Sequence, residues 1–444
     1  MQVYLETYGC QMNEYDSELV RTILQNGSFR MTPELDDADV VLLNTCAIRE
    51  SAHQRIHGRL GHLYQLKKRN PRLIVGVLGC MAQSLKQELL DAHPVVDLIA
   101  GPDAYKKLPR LIHAVCDSGQ KGLEIDLSEY ETYSDIVPER VPGVNAWIAC
   151  MRGCDNFCTF CVVPYTRGRE RSRDPENIVA EARQLAAAGH KQVTLLGQNV
   201  NSYRFESTDF AALLLRVAAL PGIERVRFTS PHPKDFPRRL LQAIASHPKL
   251  CKHIHLPLQA GNDAVLERMR RTYTRQEFLA LVDEIRATLP EVCLSTDVIC
   301  GFPGEDDAAF ADTVAVLEQV RFDSAFIFKY SERRNTIAQR KFADDVLEAV
   351  KSERVVQLVA LQKSISLERH RRAIGSTLPV LLEGTSRKSS ADLLGRDDGN
   401  RCVVVPGAGL APGMLVPVRI LAASAHTLLG QALTPAGSRV GSRP

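Results

Sequence analysis

The stretch Met151–Arg173, M-R-G-C-D-N-F-C-T-F-C-V-V-P-Y-T-R-G-R-E-R-S-R, places Cys154, Cys158 and Cys161 in a C-x3-C-x2-C loop. It follows the apolar run A-W-I-A-C at 146–150, which reads as a strand. Three thiolates within eight residues cannot all pair as disulfides. They suit a 4Fe-4S cluster, which takes thiolate ligands. Three ligands leave one iron open to a substrate or cofactor, whereas a fourth would make a closed electron-transfer site. A zinc knuckle is the alternative, but zinc usually takes four ligands, and no fourth Cys or His follows at a suitable spacing. Cys150 offers a second register, C-x3-C-x3-C, yet it lies in the apolar strand, where a cysteine behaves as a small hydrophobe.

Downstream of the loop, helices and strands alternate. Helices near 175–188, 210–219, 237–246, 263–270, 275–288 and 306–319 are interleaved with the strands QVTLLGQN, RVRFTS, HIHLPLQ, CLSTDVICG and DSAFIFKYS. With the strand before the loop, this makes about six β/α repeats, fewer than the eight of a closed barrel, so an open, partial β/α barrel is expected. Upstream, VYLETYG, VVLLNTC, LIVGVLG and VVDLIAG alternate with helical stretches, one of them running from about Ile48 to Arg69. That pattern predicts a Rossmann-like open parallel sheet.

Three further cysteines, Cys10, Cys46 and Cys80, lie 36 and 34 residues apart, each at the carboxyl end of a predicted parallel strand. Ligands gather in the crevice outside such strand ends. These thiolates could hold a second three-ligand cluster, with Gly9 and Gly79 giving the backbone room. The alternative is three unrelated buried cysteines. Cys116, Cys150, Cys251, Cys293, Cys300 and Cys402 stand singly and receive no ligand role. His253 and His255, alternating on a strand, read as structural or as pocket lining. The run Lys67–Arg69 suits a helix C-terminus.

The 444 residues are 45% hydrophobic and 24% charged, which excludes a disordered or fibrous chain. Twelve cysteines are too dilute for a small disulfide scaffold. No run of 18 apolar residues occurs, so no membrane span is expected; with no signal-peptide pattern, the cytoplasm is the expected compartment. The net charge of +3 conceals an uneven distribution: residues 364–444 hold 10 Lys and Arg against 5 Asp and Glu. That part has no aromatic residue, the last being Phe342, and its short apolar runs predict a small all-β module. Such a module is either a cap or dimerisation barrel, or a basic RNA-gripping barrel. The expected division is 1–117, a linker at 118–139, a core at 140–370 and the small barrel at 373–437.

The cysteine loop on a partial barrel resembles the radical S-adenosylmethionine enzymes. The chain resembles their methylthiotransferase branch over nearly its whole length, through ETYGCQMNEYDSE, LLNTCAIRE, GVLGCMAQ, RGCDNFCTFCVVPYTRGRERSR, LLGQNVNSY, HIHLPLQAGNDAVLERMRRTYT and STDVICGFPGE. The basic tail resembles the TRAM barrel, and YGCQMNEYDSE with NTCAIRE is similar to the branch that methylthiolates N6-dimethylallyladenosine in tRNA. The resemblance implies two 4Fe-4S clusters and S-adenosyl-L-methionine. The cluster on Cys154, Cys158 and Cys161 would cleave S-adenosylmethionine to a 5′-deoxyadenosyl radical; that on Cys10, Cys46 and Cys80 would supply the sulfur. It further implies cofactor contacts at Phe160, Gly197, Gln198, Asn199, Asp297 and Gly301, with Asp297 standing where the wider superfamily often has glycine.

The product implied is a methylthio group on C2 of N6-(dimethylallyl)adenosine, next to the anticodon of tRNAs reading codons that start with U. The partners implied are a tRNA anticodon stem-loop and a flavodoxin- or ferredoxin-type electron donor, with no membrane and a monomeric chain. Without aromatics, the tail is expected to grip phosphate through Arg387, Lys388, Arg396 and Arg401, leaving base contacts to the barrel mouth. The rival readings are a methylthiotransferase for threonylcarbamoyl-adenosine or a ribosomal protein, and, in a different class, a non-catalytic iron–sulfur or zinc RNA-binding protein.

Overall fold

The computed structural model describes residues 1–47 and 50–433. Among these, six parallel strands form the N-terminal sheet: β1 (Gln2–Tyr8), β2 (Arg30–Met31), β3 (Val40–Thr45), β4 (Ile74–Gly79), β5 (Leu98–Ala100) and β6 (Gly122–Glu124), in the order β2-β1-β3-β4-β5-β6. Strands β3 and β4 are buried along their whole length, as near-continuous apolar runs must be when helices cover both faces. One face packs on the helices Gln11–Asn26 and Leu108–Ser118, the other on the helices Glu50–Arg69, Cys80–Leu85 and Gln87–Ala92. Ile48 and Arg49, where the second helix was expected to start, lie outside the described residues.

The sequence reading yields four of these strands. It misses β2 and β6, which at two and three residues are too short to carry a periodicity. Strand β6 falls inside the stretch 118–139 expected to be a linker. That stretch also buries Tyr133, whose hydroxyl donates to the Pro102 carbonyl (2.9 Å) and accepts from the Tyr105 amide (3.1 Å). It is folded against the sheet.

The core has six parallel strands in chain order: β7 (Asn145–Ala149), β8 (Gln192–Leu196), β9 (Arg225–Phe228), β10 (His253–His255), β11 (Cys293–Cys300) and β12 (Ser324–Lys329). They form two three-stranded sheets, joined by a single bridge between Val226 and Leu250. The strands and outer helices fall where the alternation predicts. The N-terminal region docks on β7 through the Gln11–Asn26 helix, burying Tyr15 with Ala149 and Leu196.

A helix over Glu348–Arg371 lies along β11 and β12 and is absent from the sequence reading. Its buried face includes Lys351, Arg354, Gln362, Ser366 and His370, so it shows no apolar stripe. The charged groups and the Gln362 amide nitrogen find partners in place: Lys351 pairs with Asp344 (2.6 Å), Arg354 with Glu305 (2.9 Å), and Gln362 donates to the Phe322 carbonyl (2.8 Å).

The last five strands, β13 (Thr377–Ser386), β14 (Ser389–Arg396), β15 (Cys402–Pro406), β16 (Leu415–Ala423) and β17 (Leu428–Ala432), close into a barrel around Val380, Leu382, Val403, Val405, Val418, Ile420 and Leu428. Residues 434–437 of the expected module lie outside the described residues. The turn after β14 is pressed against the starts of the core strands. Arg227 of β9 donates to the carbonyls of Asp397 (2.6 Å) and Asp398 (3.0 Å), Arg225 donates to that of Pro379 (2.7 Å), and the Lys252 amide donates to the Asp398 carboxylate (3.1 Å). The small barrel thus sits at the amino ends of the core strands, opposite the end that carries the cysteine loop. Among the described residues, no helix is long and apolar enough to cross a membrane.

Candidate metal centres

After β7, Met151 and Arg152 pair antiparallel with Ser172 and Arg171, which pinches the base of the cysteine loop. Inside it, the Cys154 amide donates to Gly168 (3.2 Å), the Cys161 amide to Cys158 (3.0 Å), and the Val163 amide to the Cys161 sulfur (3.5 Å). The loop is fastened to the far side of the barrel by Thr159, whose amide donates to Met269 (3.0 Å) and whose hydroxyl donates to Arg268 (2.8 Å). Burial pushes the Cys154 thiol up to about 11 and the Cys161 thiol up to about 12. Against Cys158 stands Arg271, fully enclosed. It donates to the Cys158 sulfur (3.4 Å), the Pro257 carbonyl (3.1 Å) and the Tyr273 hydroxyl (3.1 Å). Cys150, the alternative register, is buried and donates to the Leu196 carbonyl at 3.2 Å.

Of the expected cofactor residues, Gly197, Gln198 and Asn199 follow β8 and Gly301 follows β11, at carboxyl ends, while Phe160 lies in the cysteine loop and Asp297 sits mid-strand in β11. The Gln198 side chain accepts from the Gly153 amide (2.6 Å), one residue before Cys154, while Gly197 packs on Met151. Asn199 donates to Glu170 (3.1 Å) and Asp235 (3.3 Å). Phe160 meets Phe302 edge-on at 6.5 Å, next to Gly301, whose amide donates to Glu305 (2.7 Å). Asp297 is engaged inside the barrel, where its carboxylate lies 3.2 Å from the His255 ring.

The second triplet is assembled by the sheet. Cys10, Cys46 and Cys80 follow β1, β3 and β4, and Cys10 and Cys80 begin or precede helices. Gly79, at φ +88°, turns the chain into the Cys80 helix where a Cβ would collide with the Thr45 carbonyl; at Gly9 a Cβ would overlap that of Cys46. A hydrogen bond with Cys46 draws the Cys10 thiol down to about 6, against the effect of burial. Arg167 donates to the Cys80 sulfur at 3.1 Å. The two sites adjoin: Cys80 shares a buried cluster with Val162, the residue after Cys161, and the helix Cys80–Leu85 packs on the helix Val163–Arg167.

The charge around these thiols is unbalanced. Buried Asp16 accepts from Arg152 (2.7 Å), Arg167 (2.7 Å) and the Tyr105 hydroxyl (3.4 Å), one carboxylate against two guanidiniums. Arg152 Nε and Nη1 and Arg167 Nη1 are buried without a hydrogen-bond partner. Among the described residues, no carboxylate pairs with Arg271 either. Buried cations left short of a counter-ion are costly, and an anionic, thiolate-held group beside Cys80 and Cys158 would supply one. Among the described residues, no three His, Cys, Asp or Glu side chains converge as ligands of one metal ion. A cubane asks for something else, since each thiolate binds a different iron. Three thiols at each triplet, with a buried guanidinium against one of the sulfurs, are donors of the kind such a cluster takes.

Residues 2–101 match the family described as Uncharacterized protein family UPF0004, residues 148–317 the Radical SAM superfamily, and residues 371–433 the TRAM domain. The chain is 46% identical to the tRNA-2-methylthio-N(6)-dimethylallyladenosine synthase of Porphyromonas gingivalis, over 97% of this chain and 94% of that one. It is 48% identical to the enzyme of that name from Chloroherpeton thalassium, over 97% and 96%. The chain belongs to the tRNA-2-methylthio-N(6)-dimethylallyladenosine synthase family. In this member of the family the fold also resembles the radical S-adenosylmethionine methyltransferase TsrM from Kitasatospora setae (TM-score 0.57, 15% identity, 76% of this chain and 74% of that chain). It likewise resembles the radical enzyme OxsB (TM-score 0.55, 12% identity, 80% and 56%).

Sequence reasoning missed the arginines of this synthase-family site. Arg152, Arg167 and Arg271 lie within the quoted motifs, but nothing in their spacing marks them as buried. In the TRAM barrel, Arg387 and Lys388 are exposed at the turn between β13 and β14. Arg396 and Arg401, expected to grip phosphate, are engaged within the module. Arg396 donates to the Asn400 carbonyl (3.0 Å), and Arg401 pairs with buried Asp397 at 2.6 Å, bracing the turn that meets the core.

Proposed function

We infer that this chain attaches a methylthio group to C2 of N6-(dimethylallyl)adenosine next to the anticodon of tRNAs reading codons that start with U. The observation that carries the reading is 46–48% identity, over nearly the whole length, to relatives named for that reaction. The two cysteine triplets, each beside a buried guanidinium, support it.

Cys154, Cys158 and Cys161 would hold the cluster that takes S-adenosyl-L-methionine; Cys10, Cys46 and Cys80 would hold the second. When bound, these groups supply the 5′-deoxyadenosyl radical and the sulfur. The chain's own part is positioning. Gln198, fixed on the Gly153 amide, and Gly197 and Asn199 beside it form the loop for the methionine end of the cofactor. Phe160, Asp297 and Gly301 line the nucleoside end. The target base needs a stacking surface, and the small barrel has no aromatic residue. Phe326 and Phe328 of β12, 53% and 40% exposed, meet that need. Phe326 stands in register with Asp297 and 6.0 Å from the His255 ring, so both aromatics share the inward face of the open barrel.

Arg387 and Lys388 would meet RNA phosphate. A flavodoxin- or ferredoxin-type protein would deliver electrons to a monomeric, cytoplasmic chain. Mass spectrometry of tRNA nucleosides from cells lacking the protein tests the reading. The methylthio group should vanish from the prenylated adenosine, and its persistence there would overturn the assignment.

A further inference from the structure

Two buried carboxylates tie the cysteine loop to the N-terminal domain: Asp103 pairs with Arg171 (2.8 Å), and Asp16 takes two arginines at once. Asp16 lies in the helix that follows Cys10. Its two oxygens accept from Arg152, two residues before Cys154, and from Arg167, six residues after Cys161 (2.7 Å each). Both flanks of the loop are thus pinned to the same point on the element that Cys10 begins. Arg167 does a second thing: its Nε donates to the sulfur of Cys80 at 3.1 Å, and its Nη1 is buried with no partner. It is the last residue of a helix that starts two residues after Cys161. One side chain therefore touches a sulfur of one triplet while riding on the chain segment of the other. Tyr105 and Tyr133 enclose the cluster of charges, the latter with its ring 4.7 Å from the Arg152 guanidinium. Arg167 and Cys80 are buried, which limits screening of the hydrogen bond to sulfur by bulk water.

We propose that Arg167, anchored by Asp16, is a positioning residue that couples the two cysteine sites, fixing their spacing and setting the properties of the second through its hydrogen bond to the Cys80 sulfur. This rests on the two-cluster reading above. Hydrogen bonds to cluster sulfurs raise the reduction potential, so losing this donor lowers it. Loosening the clamp separates radical formation from sulfur transfer.

The test uses anaerobically reconstituted full-length protein. In a Cys154→Ala background, which leaves only the second cluster, EPR-monitored titration reads its midpoint potential. In otherwise unchanged protein, the ratio of 5′-deoxyadenosine to methylthiolated tRNA reads coupling. Arg167→Gln should shift the potential negative and raise the ratio several-fold. Arg167→Lys should do both to a lesser degree, and Asp16→Asn should raise the ratio. Unchanged potential and ratio in Arg167→Gln, with iron retained, overturn the proposal while leaving the two-cluster reading intact. If Arg167→Gln does not hold the second cluster, Arg167→Lys decides: unchanged values overturn the proposal and lowered potential supports it. Loss of that iron from both variants counts for the proposal when the apo chains melt as the parent does, and against it when they melt lower. A parent chain that holds only one cluster overturns both the reading and the proposal.

Discussion

Cys154, Cys158 and Cys161 are neighbours in sequence and need one short loop to bring them together. Cys10, Cys46 and Cys80 are brought together only by a sheet, because parallel pairing of β1, β3 and β4 aligns the three strand ends. Each triplet has a buried arginine against one of its sulfurs, Arg271 at Cys158 and Arg167 at Cys80. They differ in what must be correct before the ligands meet. The first site depends on local turns and on Thr159 fastening the loop; the second depends on the packing of a whole domain. A motif search finds the first; the second is found only once the strands that carry it are recognised.

The largest test of this contrast removes one ligand from each. Cys154→Ala should abolish both 5′-deoxyadenosine formation and methylthiolation. Cys46→Ala should leave cleavage of S-adenosylmethionine in place and abolish methylthiolation alone. Iron should fall in each from about eight to about four per chain. Equal loss of cleavage in both variants would break the division of labour.

A core substitution probes the dependence on packing. Leu42 is fully buried in the middle of β3. Leu42→Ala should destabilise the sheet by about 2–5 kcal/mol and deplete the second cluster before the first. Iron content and the EPR signal, followed during mild heating, would report the order of loss.

The thiols of the apo chain should also differ. Cys10 is drawn down to about 6 by Cys46, while burial pushes Cys161 up to about 12. The thiolate is the reactive form, so limiting iodoacetamide near neutral pH should label Cys10 well before Cys161, read by peptide mass spectrometry. For stability the signs are opposite. Unfolding between pH 6 and 9 takes up a proton at Cys10, so its contribution grows across that window and is lost as the pH falls through 6. The contribution of Cys161 is present below pH 9 and lost as the pH rises toward 12.

The smallest effects belong to the TRAM barrel. Arg387→Ala and Lys388→Ala should each weaken tRNA binding slightly and reduce the salt slope by about one. Arg401→Ala should instead lower the melting temperature, because it releases Asp397 from the turn held by Arg227. A reduced salt slope in Arg401→Ala would return that residue to the RNA-facing set.

The alternation of apolar strands and amphipathic helices made the sheet, the partial barrel and the small β-barrel legible, and the cysteines stood out by spacing or by strand end. The Glu348–Arg371 helix did not, since a buried face of Lys351, Arg354 and Gln362 imitates an exposed one. Nor did Asp16, Arg152 and Arg167. Charged residues read as surface until their partners, over 130 positions away for Asp16 and Arg152, are seen to meet. The pairing of Arg401 was not foreseen either, since a basic module suggests RNA, although the carboxylate it pairs with lies only four residues earlier.

Asp16 also bears on how such a protein can be taken apart. The core expressed alone would carry Arg152 and Arg167 without Asp16, and Arg171 without Asp103, while the N-terminal domain alone would carry two stranded acids. Neither half is a self-sufficient module. Grafting the cysteine loop onto another scaffold, or exchanging the first domain between relatives, would require moving Asp16 and Asp103 together with Arg152, Arg167 and Arg171, as a single unit of inheritance.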